Sequence, residues 1–134
     1  MHTIAPIKKR IFSQLKILVV ESDRNDLAYV SSALKPSNCN CLVASEAMHG
    51  LSLAQQEQPD LILLDLQMPH GGIELLTTLK LDWLTRDIPV IALTTLEKSQ
   101  KIILDAKFDG YLLKPYLLDD MLYAIATYLP NVSL

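Results

Sequence analysis

Short, unbroken apolar runs alternate with amphipathic stretches along this chain. The runs are Ile17–Val20, Leu61–Leu64, Val90–Leu93 and Tyr111–Leu113, with Cys41–Ala44 as a weaker fifth. Each is too short for a helix and continuous rather than alternating, which suits a strand covered on both faces. Between the runs, apolar residues recur at helical spacing. Leu27, Val30 and Leu34 form one stripe, with Asp23 as a candidate N-cap and Pro36 as its stop. Ala47, Leu51 and Ala54 form a second, opened by Ser45, and Ile73, Leu76 and Leu79 a third, starting at Gly72. Ile102, Ile103 and Ala106 mark a fourth. Leu118, Met121, Leu122, Ile125 and Leu129 mark the fifth and clearest, closed by Pro130. Five βα units in succession predict an α/β fold, a doubly wound five-stranded parallel sheet flanked by five helices. Residues 1–14 read as an N-terminal extension, 15–130 as the folded domain and 131–134 as a short tail, with no room for an output domain.

Composition narrows the classes. The chain has 134 residues, half of them hydrophobic, which is enough for one domain with a real core. Charged residues make up 20% and the net charge is -3, so neither a disordered acidic tail nor a strongly basic nucleic-acid binder is expected. No apolar run approaches the roughly 18–20 residues needed to cross a bilayer. Lys8, Lys9 and Arg10 are not followed by the apolar stretch of a secretory signal. Cys39 and Cys41 sit two apart, a poor disulfide spacing, and a lone C-x-C is a weak metal motif. A reduced, cytoplasmic protein is the expectation, without direct contact to nucleic acid or membrane.

In an open parallel sheet, ligands bind beyond the carboxyl ends of the strands. Glu21, Ser22 and Asp23 follow the first run, Asp65 closes the third, Thr94 and Thr95 end the fourth, and Lys114-Pro115 ends the last. Each has an ordinary explanation by itself: a helix cap for Asp23, a turn residue for Thr94, a solvated lysine for Lys114. Asp65 is different, because a carboxylate closing an apolar run is costly unless a cation or donors lie nearby. Together they suggest phosphoryl capture on a carboxylate, with a lysine and a hard divalent cation facing the transferred charge.

At these positions the sequence resembles the receiver domain of two-component response regulators, the CheY-like proteins. The resemblance covers about residues 15–130. It is carried by Ile17-Leu-Val-Val-Glu21, Pro59-Asp-Leu-Ile-Leu-Leu-Asp65-Leu-Gln-Met-Pro69, Ile88-Pro-Val-Ile-Ala-Leu-Thr94 and Gly110-Tyr-Leu-Leu-Lys114-Pro115. It implies a flavodoxin-like fold with the strand order 2-1-3-4-5 that this family exemplifies. It implies Asp65 as phosphoacceptor, Glu21 and the Gln67 backbone carbonyl as holders of Mg²⁺ beside Asp65, and Lys114 as partner of the phosphoryl group. Thr94 matches the hydroxyl residue that meets that group, Tyr111 matches the switch aromatic, and Lys114-Pro115 matches a bond that is usually cis in the family.

Four places depart from the family pattern. Ser22 stands where an aspartate normally binds the metal, so weakly bound Mg²⁺ is expected, with Asp23 as a possible substitute reaching from another direction. The loop Met68-Pro-His-Gly-Gly72 is one residue short. Thr95 replaces a smaller residue. Leu117 replaces the small polar cap of the last helix, leaving Leu117 and Tyr116 free for a partner or a homodimer. Trp83 reads as a packing residue.

The resemblance implies a single-domain response regulator. It would accept a phosphoryl group from a histidine kinase or phosphotransfer protein and signal by contact with a downstream protein. It would be no enzyme beyond assisting its own phosphorylation and dephosphorylation. Two alternatives stay open: a pseudo-receiver serving as an interaction or dimerisation module, and a small enzyme using Asp65 on a diffusible substrate. The second lacks a glycine-rich phosphate loop after the first strand.

Overall fold

Successive side chains along a strand face opposite ways, so an unbroken apolar run must feed two cores at once. The computed structural model describes residues 10–68, 71–95, 108–129 and 132–133. Its strands are β1 (Arg10–Ile11), β2 (Lys16–Val20), β3 (Asn40–Ala44), β4 (Leu61–Asp65), β5 (Val90–Thr94), β6 (Gly110–Leu113) and β7 (Val132–Ser133). Strands β2 to β6 form one parallel sheet in the order β3-β2-β4-β5-β6. Counted among these five, that is 2-1-3-4-5, the expected order.

Among the described residues the helices are α1 (Arg24–Leu34), α2 (Ala47–Glu57), α3 (Gly72–Leu81) and α4 (Leu118–Tyr128). Helix α4 is the one expected as the fifth. The stretch around Ile102, Ile103 and Ala106, expected as the fourth, lies outside the described residues, as do Pro69, His70 and Pro130. Ile17, Val19, Leu61, Leu63, Ile91 and Leu93 pack with Val30 and Leu34 of α1 and Met121 and Ile125 of α4. Their sequence neighbours Leu18, Val20, Ile62, Leu64 and Val90 pack with Ala54 of α2 and Leu75, Leu76 and Leu79 of α3. Two cores therefore sandwich the sheet, and each fully buried Leu, Ile or Val contributes on the order of 1.5–3 kcal/mol.

Of the described helices, α1 alone starts on a side-chain cap bond. Asp23 caps α1, its Oδ1 accepting from the amides of Asn25 (2.8 Å) and Asp26 (2.9 Å). Ser45 does not open α2 as expected: the helix begins at Ala47, with Glu46 in the cap position and no side-chain cap bond. Helix α4 lacks a side-chain cap at Leu117, and Asp120 Oδ2 accepts from the Leu117 amide instead (3.0 Å). Leu117 is 71% exposed, but Tyr116 is only 6% exposed, correcting the expectation that both would be free. Trp83, just beyond α3, is 75% exposed and does not pack as expected.

The first and last described strands pair. Strand β1 pairs in parallel with β7, Arg10 opposite Val132 and Ile11 opposite Ser133. Phe12 and Leu15 are buried in the core shared with α1 and α4. No helix among the described residues is long and apolar enough to cross a membrane.

Candidate functional site

Parallel pairing brings the carboxyl ends of β2, β4, β5 and β6 to one edge, and the polar residues cluster there. Glu21 follows β2. Its amide donates to the Ala44 carbonyl (3.0 Å), extending the sheet by one bond and drawing the side chain under the edge. The side chain is wholly buried, and its Oε1 accepts from the Asp23 amide (3.0 Å). Asp65 ends β4 at 3% exposure, and its Oδ1 accepts from the Gln67 amide (2.9 Å). Two buried carboxylates side by side require a compensating charge.

Lys114 supplies it. The residue follows β6, its amide donating to the Thr94 carbonyl (2.7 Å), and the Lys114–Pro115 bond is cis as expected. Its Nζ lies 3.0 Å from Asp26 Oδ2, 3.3 Å from Asp65 Oδ1 and 3.5 Å from Glu21 Oε2. Carboxylate oxygens of Glu21, Asp26 and Asp65 all lie within 4.8 Å of one another. An open cavity of about 640 Å³, lined in part by Asn25, Asp26, Tyr29, Thr95, Lys114 and Leu117, connects this cluster to solvent.

The electrostatics follow from the burial. Desolvation, reinforced by the neighbouring Asp65 carboxylate, pushes the Glu21 carboxyl from 4.5 up to about 7. Burial works against the charge on Lys114, but the carboxylates, Asp26 foremost, outweigh it and hold its pKa above the ordinary lysine value. Burial and the nearby carboxylates also raise the Tyr116 phenol. Tyr116 is held in place by Tyr29, whose hydroxyl donates to the Tyr116 carbonyl and whose ring meets it edge-on at 5.5 Å.

Of the residues singled out in the sequence, Glu21, Asp65 and Lys114 converge. Gln67 adjoins them through its amide, and its side chain donates to Thr95 Oγ1 across the mouth (3.0 Å). Thr94 is buried at the end of β5, its hydroxyl donating to the Thr95 carbonyl (3.3 Å). Tyr111 is half-exposed and lines a separate open depression of about 550 Å³ with Asp120, Tyr123 and Tyr128. Ser22 is exposed, outside the carboxylate cluster. Asp23, the expected substitute, spends its carboxylate on the α1 cap. The residue that sequence reasoning missed is Asp26. The available signal was its place three residues after a capping aspartate, in the first turn of a helix that starts at the site. The donor set is all oxygen, which suits a hard divalent cation, and the Lys114 ammonium already occupies its centre as a positive charge.

Comparison with known proteins identifies the family. The family model of the response regulator receiver domain matches residues 17–126. The chain is 37% identical over 110 residues to the DNA-binding dual master transcriptional regulator RpaA of Synechocystis, a match covering 80% of this chain and 46% of that protein. It is 28% identical over 116 residues to the polar-differentiation response regulator DivK of Brucella ovis, covering 84% of this chain and 94% of that one. It thus spans about half the length of RpaA and nearly all of DivK. The receiver domain of the sensor histidine kinase PA1611 from Pseudomonas aeruginosa, solved with a magnesium ion coordinated in its active site cleft, has the same fold. Its TM-score is 0.79 at 20% identity, over 86% of this chain and 97% of that one. The family match over most of the chain, on a 2-1-3-4-5 parallel sheet, establishes that this chain belongs to the response regulator receiver domain family of two-component systems.

Proposed function

We propose that the domain accepts a phosphoryl group on Asp65 from a histidine kinase or phosphotransfer protein and passes the signal on by phosphorylation-dependent protein contact. One observation carries the reading: a buried carboxylate at the end of β4 with an ammonium 3.3 Å away, that of Lys114, which itself lines an open cavity. In the transfer, Asp65 forms a P–O bond as the P–N bond of the donor phosphohistidine breaks, and the leaving imidazole takes up a proton. Lys114 faces the charge that the phosphoryl group brings. The Gln67 amide orients the Asp65 carboxylate for attack. Thr94 supplies a hydroxyl from the neighbouring strand, and Tyr111, on the same face as Tyr123, changes setting with it.

Glu21, Asp65 and the Gln67 backbone carbonyl would hold Mg²⁺, with Ser22 contributing at most a neutral hydroxyl. When bound, the ion neutralises the charge of the transferring group. The missing acid at Ser22 makes that binding weaker than in a site with an aspartate there. The domain does no chemistry beyond assisting its own phosphorylation and dephosphorylation. Its partners are the phosphodonor, a downstream protein and, through exposed Leu117, a second copy of the chain. The free cysteines Cys39 and Cys41 fit a cytoplasmic setting.

Ser22 is also the observation that favours a second reading, a pseudo-receiver working as an interaction module. Incubation with acetyl phosphate and Mg²⁺, followed by intact mass, separates the two. One added phosphoryl group, absent in Asp65→Asn, supports the first reading. An unmodified parent under conditions that label a Ser22→Asp variant supports the second.

A further inference from the structure

We propose that the Gln67 side chain is a positioning group: through Thr95 it braces the end of β5 and holds the Thr94 hydroxyl in its resting setting, so that this brace sets how readily the site takes up a phosphoryl group. The role rests on the phosphoryl uptake by Asp65 proposed above and adds a residue that regulates it. Strands β4 and β5 pair as far as Asp65 opposite Leu93, and the Leu66 amide donates to the Leu93 carbonyl (3.0 Å). Past that rung the two segments are joined by side chains. Gln67 Nε2 donates to Thr95 Oγ1 (3.0 Å), while the Gln67 amide donates to Asp65 Oδ1 (2.9 Å). The Thr95 carbonyl in turn accepts from the Thr94 hydroxyl (3.3 Å). Thr95 also lines the open cavity with Lys114.

These bonds form one chain from acid to hydroxyl, through Asp65, Gln67, Thr95 and Thr94. Its two ends are the groups that phosphoryl uptake engages. On the other side, the Thr94 carbonyl accepts from the Lys114 amide (2.7 Å), so β6 holds the Thr94 backbone while the brace holds the residue after it. With both held, the buried Thr94 hydroxyl stays turned to the Thr95 carbonyl. To donate to an oxygen of a phosphorylated Asp65, it must give up that bond. The Gln67–Thr95 bond keeps Thr95 where the resting bond is made, and so favours the resting arrangement over the phosphorylated one. An interaction confined to one of two states is subtracted from the apparent affinity of whatever binds the other. Gln67 is exposed and Thr95 half-buried, so their bond is a modest one, and the brace tunes uptake without blocking it.

The test is calorimetric titration of the full chain with beryllium fluoride, a tetrahedral phosphoryl mimic, in excess MgCl₂. Gln67→Met keeps the side-chain length and loses the donor. Thr95→Val keeps the branched shape and loses the acceptor. Each should bind the mimic about two- to tenfold more tightly than the parent, the span of one hydrogen bond. The double variant should match the single ones, because both changes remove the same bond. Thr95→Ser keeps the hydroxyl and should stay within about twofold of the parent. A gain in affinity also shows that the variants are folded, since lost structure can only weaken binding. Parent-like or weaker binding by either single variant, or gains that multiply in the double variant, would overturn the proposal. So would a parent that binds no mimic. Phosphoryl uptake by the parent from acetyl phosphate, read separately by intact mass, decides the receiver reading. A labelled parent whose variants bind no more tightly leaves that reading standing and removes the brace alone.

Discussion

Lys114 lies closer to Asp26 than to Asp65, 3.0 Å against 3.3 Å, although Asp65 is the more buried carboxylate. The ammonium is therefore shared between a helix and a strand end rather than dedicated to one acid. Two of its three partners, Glu21 and Asp65, have almost no contact with water, so the lysine places a positive charge beside two buried carboxyl groups.

Replacing that lysine should therefore be costly. Lys114→Met keeps much of the side-chain volume but removes the charge. Unfolding by urea at pH 8 without metal should show a loss on the order of 3 kcal/mol, as for a buried ion pair stripped of one partner. The loss should shrink toward pH 5, where Glu21, held up to about 7, is protonated, and saturating Mg²⁺ should return part of it.

Asp23 has a different task and a smaller effect. Asp23→Ala removes the acceptor shared by two α1 amides and should cost about 1 kcal/mol in a thermal or urea melt. The Asn variant should recover most of it.

Metal-free protein should lose stability as pH rises from about 5 to about 7. In that window folded Glu21, held up to about 7, keeps a proton that an unfolded glutamate, near 4.5, has released. The native state binds more protons, so unfolding becomes easier with rising pH, by on the order of 2–3 kcal/mol across the window. Urea titrations in chelator at several pH values test this. Glu21→Gln should flatten the profile over the same range.

Gly71 precedes α3 with φ at +140°, where side chains are rarely tolerated, and an added Cβ would lie 3.1 Å from Ala47 Cβ. Gly71→Ala should lower stability by about 1–3 kcal/mol. A melt indistinguishable from the parent would mean that the turn has another conformation open to it.

Four of the five sheet strands announce themselves as unbroken apolar runs; in β4 and β5, and in β2 after Lys16, burial on both faces leaves no polar position before the strand end. The same runs place Glu21, Asp65, Thr94 and Lys114, since the first polar residue after a buried strand must lie at the sheet edge. Right-handed crossovers then put helices on both faces of the sheet, whereas the strand order is implied by the family resemblance alone. All of this is local in the chain, one element at a time.

Other assignments depend on distant parts of the molecule. Pairing of Arg10–Ile11 with Val132–Ser133 needs the two ends of the chain to be brought together by the fold, and two-residue strands carry no pattern to read. Tyr116 is buried against Tyr29 on α1, whose hydroxyl donates to its carbonyl and whose ring meets it edge-on, whereas Leu117, next in sequence, is left in water. The choice among Glu21, Ser22, Asp23 and Asp26 is of the same kind. By composition all four are polar residues at the mouth of one strand and the start of one helix. The α1 amides claim Asp23, and the rotation of that helix against β6 turns Asp26, 88 residues away in sequence, toward Lys114. Hydrophobic periodicity along the chain determined which residues reach the sheet edge. Only the packed orientation of α1 decided which carboxylate faces the lysine, because that depends on the angle between elements and not on the spacing within either.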